Sequence, residues 1–342
     1  MRKYLALVLM LLAFYSCKQK NETTSEVNEE IVEAIKIYPS DVLPIVEECK
    51  ILLGDGTSVK DLKSFQKEDF FYVKKEQGID WVVYKAPNAG VTSKTSKNTR
   101  SELHQKKYWR PMQGGRLTGT LKVKNVSTTG DATVSSSYAV VIGQIHGDEG
   151  HKNEPLKIFY KKFPGHTKGS VFWNYEINHD GDNSGRWDFS TAVWGYDFSV
   201  VGETENSYPT EPKDGIALGE EFSYEVNIYQ GVMYLTFTSK NHETKTFTKS
   251  LVQSEFADKA SIPEQIKNTY FKRGRDGVEK ESAYAGELQY FKQGAYNQAN
   301  PKSTKSQVYD GDIDKQYQNG SYAEVWFKEG ALSIGVQPKK DN

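Results

Sequence analysis

Cysteine is almost absent: the 342 residues include two, Cys17 and Cys49. That excludes a disulfide framework as the source of stability. Net charge is nearly absent too. Lys and Arg number 44 against 45 Asp and Glu, a formal charge of -1 at pH 7. There is thus no general attraction to nucleic acid or to anionic membranes, and a polyanionic ligand has to be held by local cations. Long helical periodicity is lacking, as are internal repeats and Pro- or Gly-rich linkers within the folded part. Neither a helical bundle nor a repeat array fits such a chain. The apolar run from Leu5 to Tyr15 is too short to span a bilayer comfortably.

What the chain has is aromatic side chains (13% Phe, Trp and Tyr), 28 Gly and 11 Pro. This composition favours strands joined by many turns. Strand-like runs recur at Trp81–Tyr84, Leu117–Val126, Ser136–Ile145, Lys157–Tyr160, Ser170–Ile177, Phe222–Ile228, Val232–Thr238, Lys245–Val252, Glu287–Phe291 and Tyr322–Phe327. Turn residues such as Asn88-Ala89-Gly90 and Gln230-Gly231 fall between them. Many short strands at this spacing predict an all-β sandwich or jelly roll. One short helix is expected at Ile262–Tyr270, and a long functional loop at Asn178–Gly219.

The N-terminus reads as an export signal. Arg2 and Lys3 precede the apolar run, and Ser16-Cys17 follows it. A lone Cys at this point resembles a bacterial lipoprotein acylation site, so residues 1–17 are expected to be a signal peptide with lipidated Cys17. The alternative is an ordinary secretory signal. Residues 18–37 are polar and glutamate-rich and read as a tether. Residues 38–342 are expected to form one catalytic domain, opened by Tyr38-Pro39-Ser40-Asp41. The mean hydropathy of -0.67 fits a soluble domain on a lipid anchor at the outer membrane. A monomer is expected.

Three segments carry the chemistry: Arg100-Ser101-Glu102-Leu103, Gln144-Ile145-His146, and Tyr290-Phe291-Lys292-Gln293-Gly294-Ala295-Tyr296-Asn297-Gln298. Alternate residues of a strand share a face. Arg100, Glu102 and His104 therefore share one face. Gln144 and His146 share another, as do Lys292, Tyr296 and Gln298, with Gly294 leaving room between them. Leu103, Ile145, Phe291 and Ala295 point the other way, into a core. Three such strands predict the floor of a polar groove.

In this order and at these separations, the segments resemble the signatures of polysaccharide lyase family 7, the alginate lyases. The second and third motifs stand in full; the first ends in His104 where the family usually has Arg. The resemblance implies a β-jelly roll of two stacked antiparallel sheets with a concave substrate groove. It also implies cleavage of alginate, a polymer of mannuronate and guluronate, by β-elimination. A C5 proton beside a carboxylate is barely acidic, so the carboxylate has to be neutralised before a base can act at C5 and an acid at O4. By the family pattern, Arg100 and Gln144 neutralise the carboxylate. His146 is the base for guluronate, and Tyr296 is the acid. On mannuronate Tyr296 serves as both base and acid. Lys292 is expected to lower the Tyr296 pKa and to hold a sugar carboxylate. Glu102 is expected to orient Arg100 or to bind a hydroxyl, with His104 and Gln298 as further substrate contacts. Ile145 goes with guluronate preference in the family. No metal or organic cofactor is required.

The remaining features are weaker. His151, His166, His179 and His242 are expected to be solvent-exposed. The Asp180–Asp182 cluster reads as a solvated turn rather than a calcium site. Lys157, Lys161, Lys162 and Lys168 form either an ordinary solvated surface or a contact for distal uronates. The Asn178–Gly219 segment and the basic loop 147–169 could wall off one end of the groove, so an exo-acting enzyme is expected. The rivals are a non-catalytic alginate-binding module, a glycoside hydrolase, and a lyase on another polyuronate such as glucuronan. The hydrolase needs two facing carboxylates, and the motifs supply only Glu102.

Overall fold

Strands form wherever small and β-branched or aromatic residues alternate with polar ones, and their inward residues build a single core. The computed structural model describes residues 36–94, 96–148, 154–177, 187–252, 287–307 and 312–339. Its compact unit runs from Ile37 to Asn342. The expected leader with Cys17, most of the tether, the Ile262–Tyr270 helix and the Asp180–Asp182 cluster lie outside the described residues.

Two antiparallel sheets stack as a jelly roll. The first contains β1 (Cys49–Leu52), β2 (Ser58–Val59), β5 (Arg100–Gln105), β7 (Ala139–Gly147), β8 (Leu156–Lys161), β9 (Lys168–Ile177), β10 (Trp187–Trp194), β11 (Ile216–Ala217) and β15 (Gln289–Asn297). Its order is β10-β9-β8-β7-β15-β5-β1-β2, with β11 also paired to β9. The second contains β3 (Phe71–Glu76), β4 (Ile79–Pro87), β6 (Gly115–Asn125), β12 (Glu221–Tyr229), β13 (Val232–Ser239), β14 (Lys245–Ser250) and β16 (Tyr322–Ser333). Its order is β14-β13-β12-β6-β16-β4-β3. Helices are short: α1 (Pro39–Val42) and α2 (Ile313–Asn319).

The core lies between the sheets. Leu103, Ile145, Ile158, Phe291 and Ala295 come from the first sheet, and Leu121, Tyr224, Leu235, Val325 and Phe327 from the second. Each large apolar side chain buried this fully contributes about 1.5–3 kcal/mol relative to exposure. A polar strut crosses the core: Gln293 Nε2 donates to Tyr224 Oη at 2.7 Å and to the Thr118 carbonyl at 3.1 Å. The strut needs Gly143, because a Cβ there would lie 2.8 Å from the Tyr224 oxygen.

Strict alternation fails at several points, and one of them sets the site. β7 carries a bulge against β8 between Val141 and Gly143, so Val140, Ile142 and Ile145 all face the core while Ala139 and Val141 face outward. The extra residue switches the parity of the strand. It thereby sets Gln144 and His146 on the same outer face as Val141. Gly294 also differs from expectation. It does not serve to leave room in the groove: its φ is 147° and a Cβ would lie 2.4 Å from the Ser101 carbonyl oxygen of the neighbouring strand. Close backbone approach is what requires glycine here.

The expected loop Asn178–Gly219 contains β10 and β11. Strands β1, β2 and β3 were also absent from the sequence reading, while β15 runs to Asn297 and so takes in the whole third motif. Cys49 is a buried free thiol on β1.

Candidate active site

The three motif strands are immediate neighbours, with β15 in the middle. Arg100 of β5 lies opposite Tyr296, Glu102 opposite Gly294, and His104 opposite Lys292. On the other side, Lys292 lies opposite Gln144 of β7, and Tyr290 opposite His146. Arg100, Glu102, His104, Gln144, His146, Lys292 and Tyr296 therefore share the outer face of the first sheet, as the period-2 pattern requires, while Ser101, Gln293 and Asn297 point inward to the second sheet.

Glu102 is the hub. It is 3% exposed and accepts from Arg100 Nη1 at 3.1 Å, Lys292 Nζ at 3.2 Å and Gln144 Nε2. Burial works against its charge, but Lys292 and Arg100 outweigh burial and hold its carboxyl below the usual range. Two cations against one carboxylate leave this cluster with a formal charge of +1, which suits an incoming uronate. Gln144 has a second amide hydrogen to offer, and its Oε1 is buried without a partner, as is Arg100 Nε.

His146 Nδ1 lies 2.6 Å from the Gly147 carbonyl. A carbonyl only accepts, so Nδ1 carries the proton and Nε2 keeps its lone pair. Burial depresses the imidazole pKa to about 4, with Glu154 opposing that shift and Lys292 reinforcing it. The ring is therefore a neutral base at neutral pH. Tyr296 Oη shares a hydrogen bond with Ser96 Oγ at 3.2 Å, and the Arg100 guanidinium sits 3.7 Å from the centre of its ring. Burial would raise the phenol pKa; Arg100 and then Lys157 overcome it, leaving the pKa below the usual 10. The cation that activates Tyr296 is thus Arg100. Lys292, expected in that role, turns its Nζ to Glu102.

A wall stands beside Tyr296. Phe198 packs on Phe159 and Phe172, with ring centres 5.4 and 6.0 Å apart, on the same outer face. Lys161, 4% exposed, donates to the carbonyls of Ser135 and Val200, both at 2.9 Å. The Tyr196 and Phe198 amides donate to Ser170 Oγ and Ser190 Oγ at 2.8 and 2.9 Å. Residues 196–200 are thereby fixed to β8, β9 and β10, and Phe198 fills the outer face beside Phe159 and Phe172 on that side of Tyr296.

An alginate lyase family model matches residues 50–333, from β1 to the end of β16. The chain belongs to polysaccharide lyase family 7, the alginate lyases. It is 65% identical to a crystal structure described as an exolytic family 7 alginate lyase of Zobellia galactanivorans, with a TM-score of 0.81, covering 88% of this chain and 99% of that one. It is 28% identical over 269 residues to an alginate lyase of Klebsiella pneumoniae, covering 68% of this chain and 73% of that protein. The fold is also shared with an alginate lyase of Corynebacterium sp., at 15% identity and a TM-score of 0.52, covering 87% and 98% of the two chains.

Within this lyase, several expected residues sit differently. His104 is no substitute cation. Its ring stacks on Tyr290 at 3.9 Å and 12°, and its Nε2 shares a hydrogen bond with Tyr108 Oη at 3.0 Å. Burial and then Lys292 push its pKa to about 2, so it is neutral. Gln298 donates to the Tyr296 carbonyl and accepts from Asn98, at 3.2 and 3.4 Å. Lys157 and Lys161 form neither a solvated surface nor a contact for distal uronates: both are buried, with Lys157 Nζ 2.6 Å from Glu176 and 3.4 Å from Glu154. Lys162 and Lys168 donate to the carbonyls of His166 and Lys213. His166 and His242 are half-buried, not exposed; they bond the Pro209 carbonyl and Glu220, both at 2.9 Å. His151 and His179 lie outside the described residues.

Sequence reasoning missed Ser96, Tyr108 and Glu154, and it gave Tyr290 no role. Tyr290 is the plate between His104 and His146, its ring centre 5.2 Å from that of His146. Its place two residues before Lys292 on the same strand face was the available signal.

Proposed function

We propose that this alginate lyase prefers guluronate and attacks chain ends. The reading rests chiefly on His146: its proton is parked on Nδ1, leaving a bare Nε2 on the sheet face that also carries Tyr296. In guluronate the C5 proton and the leaving O4 lie on opposite faces, so the elimination wants a base and an acid that are separate groups. Arg100, with the second amide hydrogen of Gln144, neutralises the carboxylate and makes C5 acidic. His146 Nε2 takes the C5 proton, and the Tyr296 hydroxyl protonates O4 as the C4–O4 bond breaks. Ile145 is fully buried and faces the core. Its bearing on preference is therefore indirect, through the position of His146.

The wall at Phe198 supports attack at chain ends, as does the high identity to a relative described as exolytic. A polymer crossing the sheet past Tyr296 would meet Phe198 rather than open groove. Initial rates of ultraviolet absorbance on polyguluronate and polymannuronate, with product sizing, test both parts. The expected result is a faster rise on polyguluronate and unsaturated monomers or short oligomers from the first minutes. Phe198→Ala is expected to lengthen the early products without loss of elimination rate. Long oligomers early in the wild-type digest would refute the chain-end reading.

A further inference from the structure

We infer that Glu154 is a positioning residue for the base, the carboxylate that pairs with His146 when its imidazole is protonated. The inference rests on the reading of His146 as the guluronate base and adds a residue that the motifs do not contain. Glu154 precedes β8 and is half-buried, and its Oε1 lies 3.5 Å from His146 Nε2. That is too long for a hydrogen bond to a neutral ring with no proton on Nε2. At 3.5 Å the two groups form an ion pair once the imidazole is protonated.

The partners of Glu154 fix it in place. Lys157 Nζ lies 3.4 Å from its Oε2 and is held in turn by Glu176 at 2.6 Å. The Glu176 amide also donates to the Glu154 carbonyl at 3.2 Å. Several other groups surround His146. Lys292 and Tyr290 come from β15, Glu102 and His104 from β5, Lys157 from β8, and the Gly147 carbonyl from its own strand. Tyr290 and His104 are neutral here, while Lys292 and Lys157 disfavour an imidazolium. Glu102 spends its charge on Arg100, Lys292 and Gln144. Glu154, ahead of the Gly147 carbonyl, is thus the main group that stabilises the protonated base, and burial alone would leave His146 a weaker base still.

The step balances without a redox partner. The C5–H electron pair becomes the C4=C5 π bond while the C4–O4 bond breaks. The proton goes to His146 Nε2, and O4 takes the Tyr296 proton. Nε2–H, paired with the Glu154 carboxylate, then releases its proton to water, and the Tyr296 phenolate recovers one from water.

The test is Glu154→Gln, which keeps the shape and removes the charge. Lys157 retains Glu176, so the surrounding ion pairs persist. On polyguluronate kcat is expected to fall about tenfold or more, the equivalent of one pKa unit of lost basicity. On polymannuronate, where Tyr296 serves as base, it should hold nearly level. The acid limb of the polyguluronate profile should move to lower pH, because losing a carboxylate lowers the His146 pKa. Nuclear magnetic resonance titration of the His146 ring should show that same fall directly. Equal losses on both polymers, or an unmoved His146 titration, would overturn the inference. His146→Ala run beside it separates the two claims. If that variant loses both polymers equally, the base assignment fails, and the titration alone decides whether Glu154 supports His146. If it is selective for polyguluronate and Glu154→Gln is not, only the role of Glu154 fails.

Discussion

Tyr296→Phe is expected to abolish elimination on every alginate block, by about 1000-fold or more in kcat, while the protein stays folded. General acid catalysis contributes about 10²–10⁴-fold, and in the proposed mechanism the phenol is the acid for guluronate and both acid and base for mannuronate. The variant removes one hydroxyl. The hydrogen bond it loses is to Ser96 Oγ at 3.2 Å, and a bond of that kind is worth about 0.5–1.5 kcal/mol net. The ring still packs beside Val141 and Phe159 and under the Arg100 guanidinium. Activity and stability should therefore separate cleanly: a melting temperature lowered by about 4 °C at most and a flat absorbance trace. A variant retaining a tenth of the wild-type rate would show that another group, or water, protonates O4.

Arg100→Ala is expected to cost about 100-fold to 1000-fold in kcat/KM, the range seen when a preorganised donor to developing charge is removed. Three functions go at once. The uronate carboxylate loses its fork-shaped partner, Glu102 loses one of three donors, and Tyr296 loses the cation over its ring. The third gives a pH signature. Burial raises the Tyr296 pKa and Arg100 lowers it, with the net shift downward. Without Arg100 the burial contribution prevails, the phenol pKa rises, and the alkaline limb of the pH profile moves up. Arg100→Lys keeps a charge but not the planar fork, so it should restore part of the alkaline limb and little of the rate. Glu102 remains held by Lys292 and Gln144, which keeps the site assembled in both variants. An alkaline limb that stays in place in Arg100→Ala would mean that Arg100 does not tune Tyr296.

The sheet that carries the site was legible in the sequence because half-buried strands alternate, and alternation decides which side chains share a face. Arg100, Glu102, Gln144, His146, Lys292 and Tyr296 all came from that rule, sharpened by a family resemblance. Two things escaped it. The first is the bulge at Ile142, which no period-2 pattern announces and which sets the parity of Gln144 and His146. The second is anything that depends on contacts between distant segments. Lys157 and Lys161 read as surface lysines, because a sequence does not reveal that Glu154 and Glu176, or the carbonyls of Ser135 and Val200, will surround them. Likewise, His104 occupies the place of an Arg in the motif but becomes a neutral ring stacked on Tyr290. Strands β1 to β3 are short or lie outside any motif, and β10 was hidden in a stretch whose Asp, Gly and Asn residues read as loop.

The central claim is that two groups divide the work, with His146 as base where the C5 proton and O4 lie on opposite faces and Tyr296 as acid throughout. The direct test is the initial rate of His146→Ala on polyguluronate and polymannuronate, followed as absorbance of the conjugated C4–C5 double bond. The account predicts that the polyguluronate rate collapses by about 100-fold or more, the range of a lost general base, while much of the polymannuronate rate survives. Equal losses on the two polymers, in a variant that folds, would contradict it.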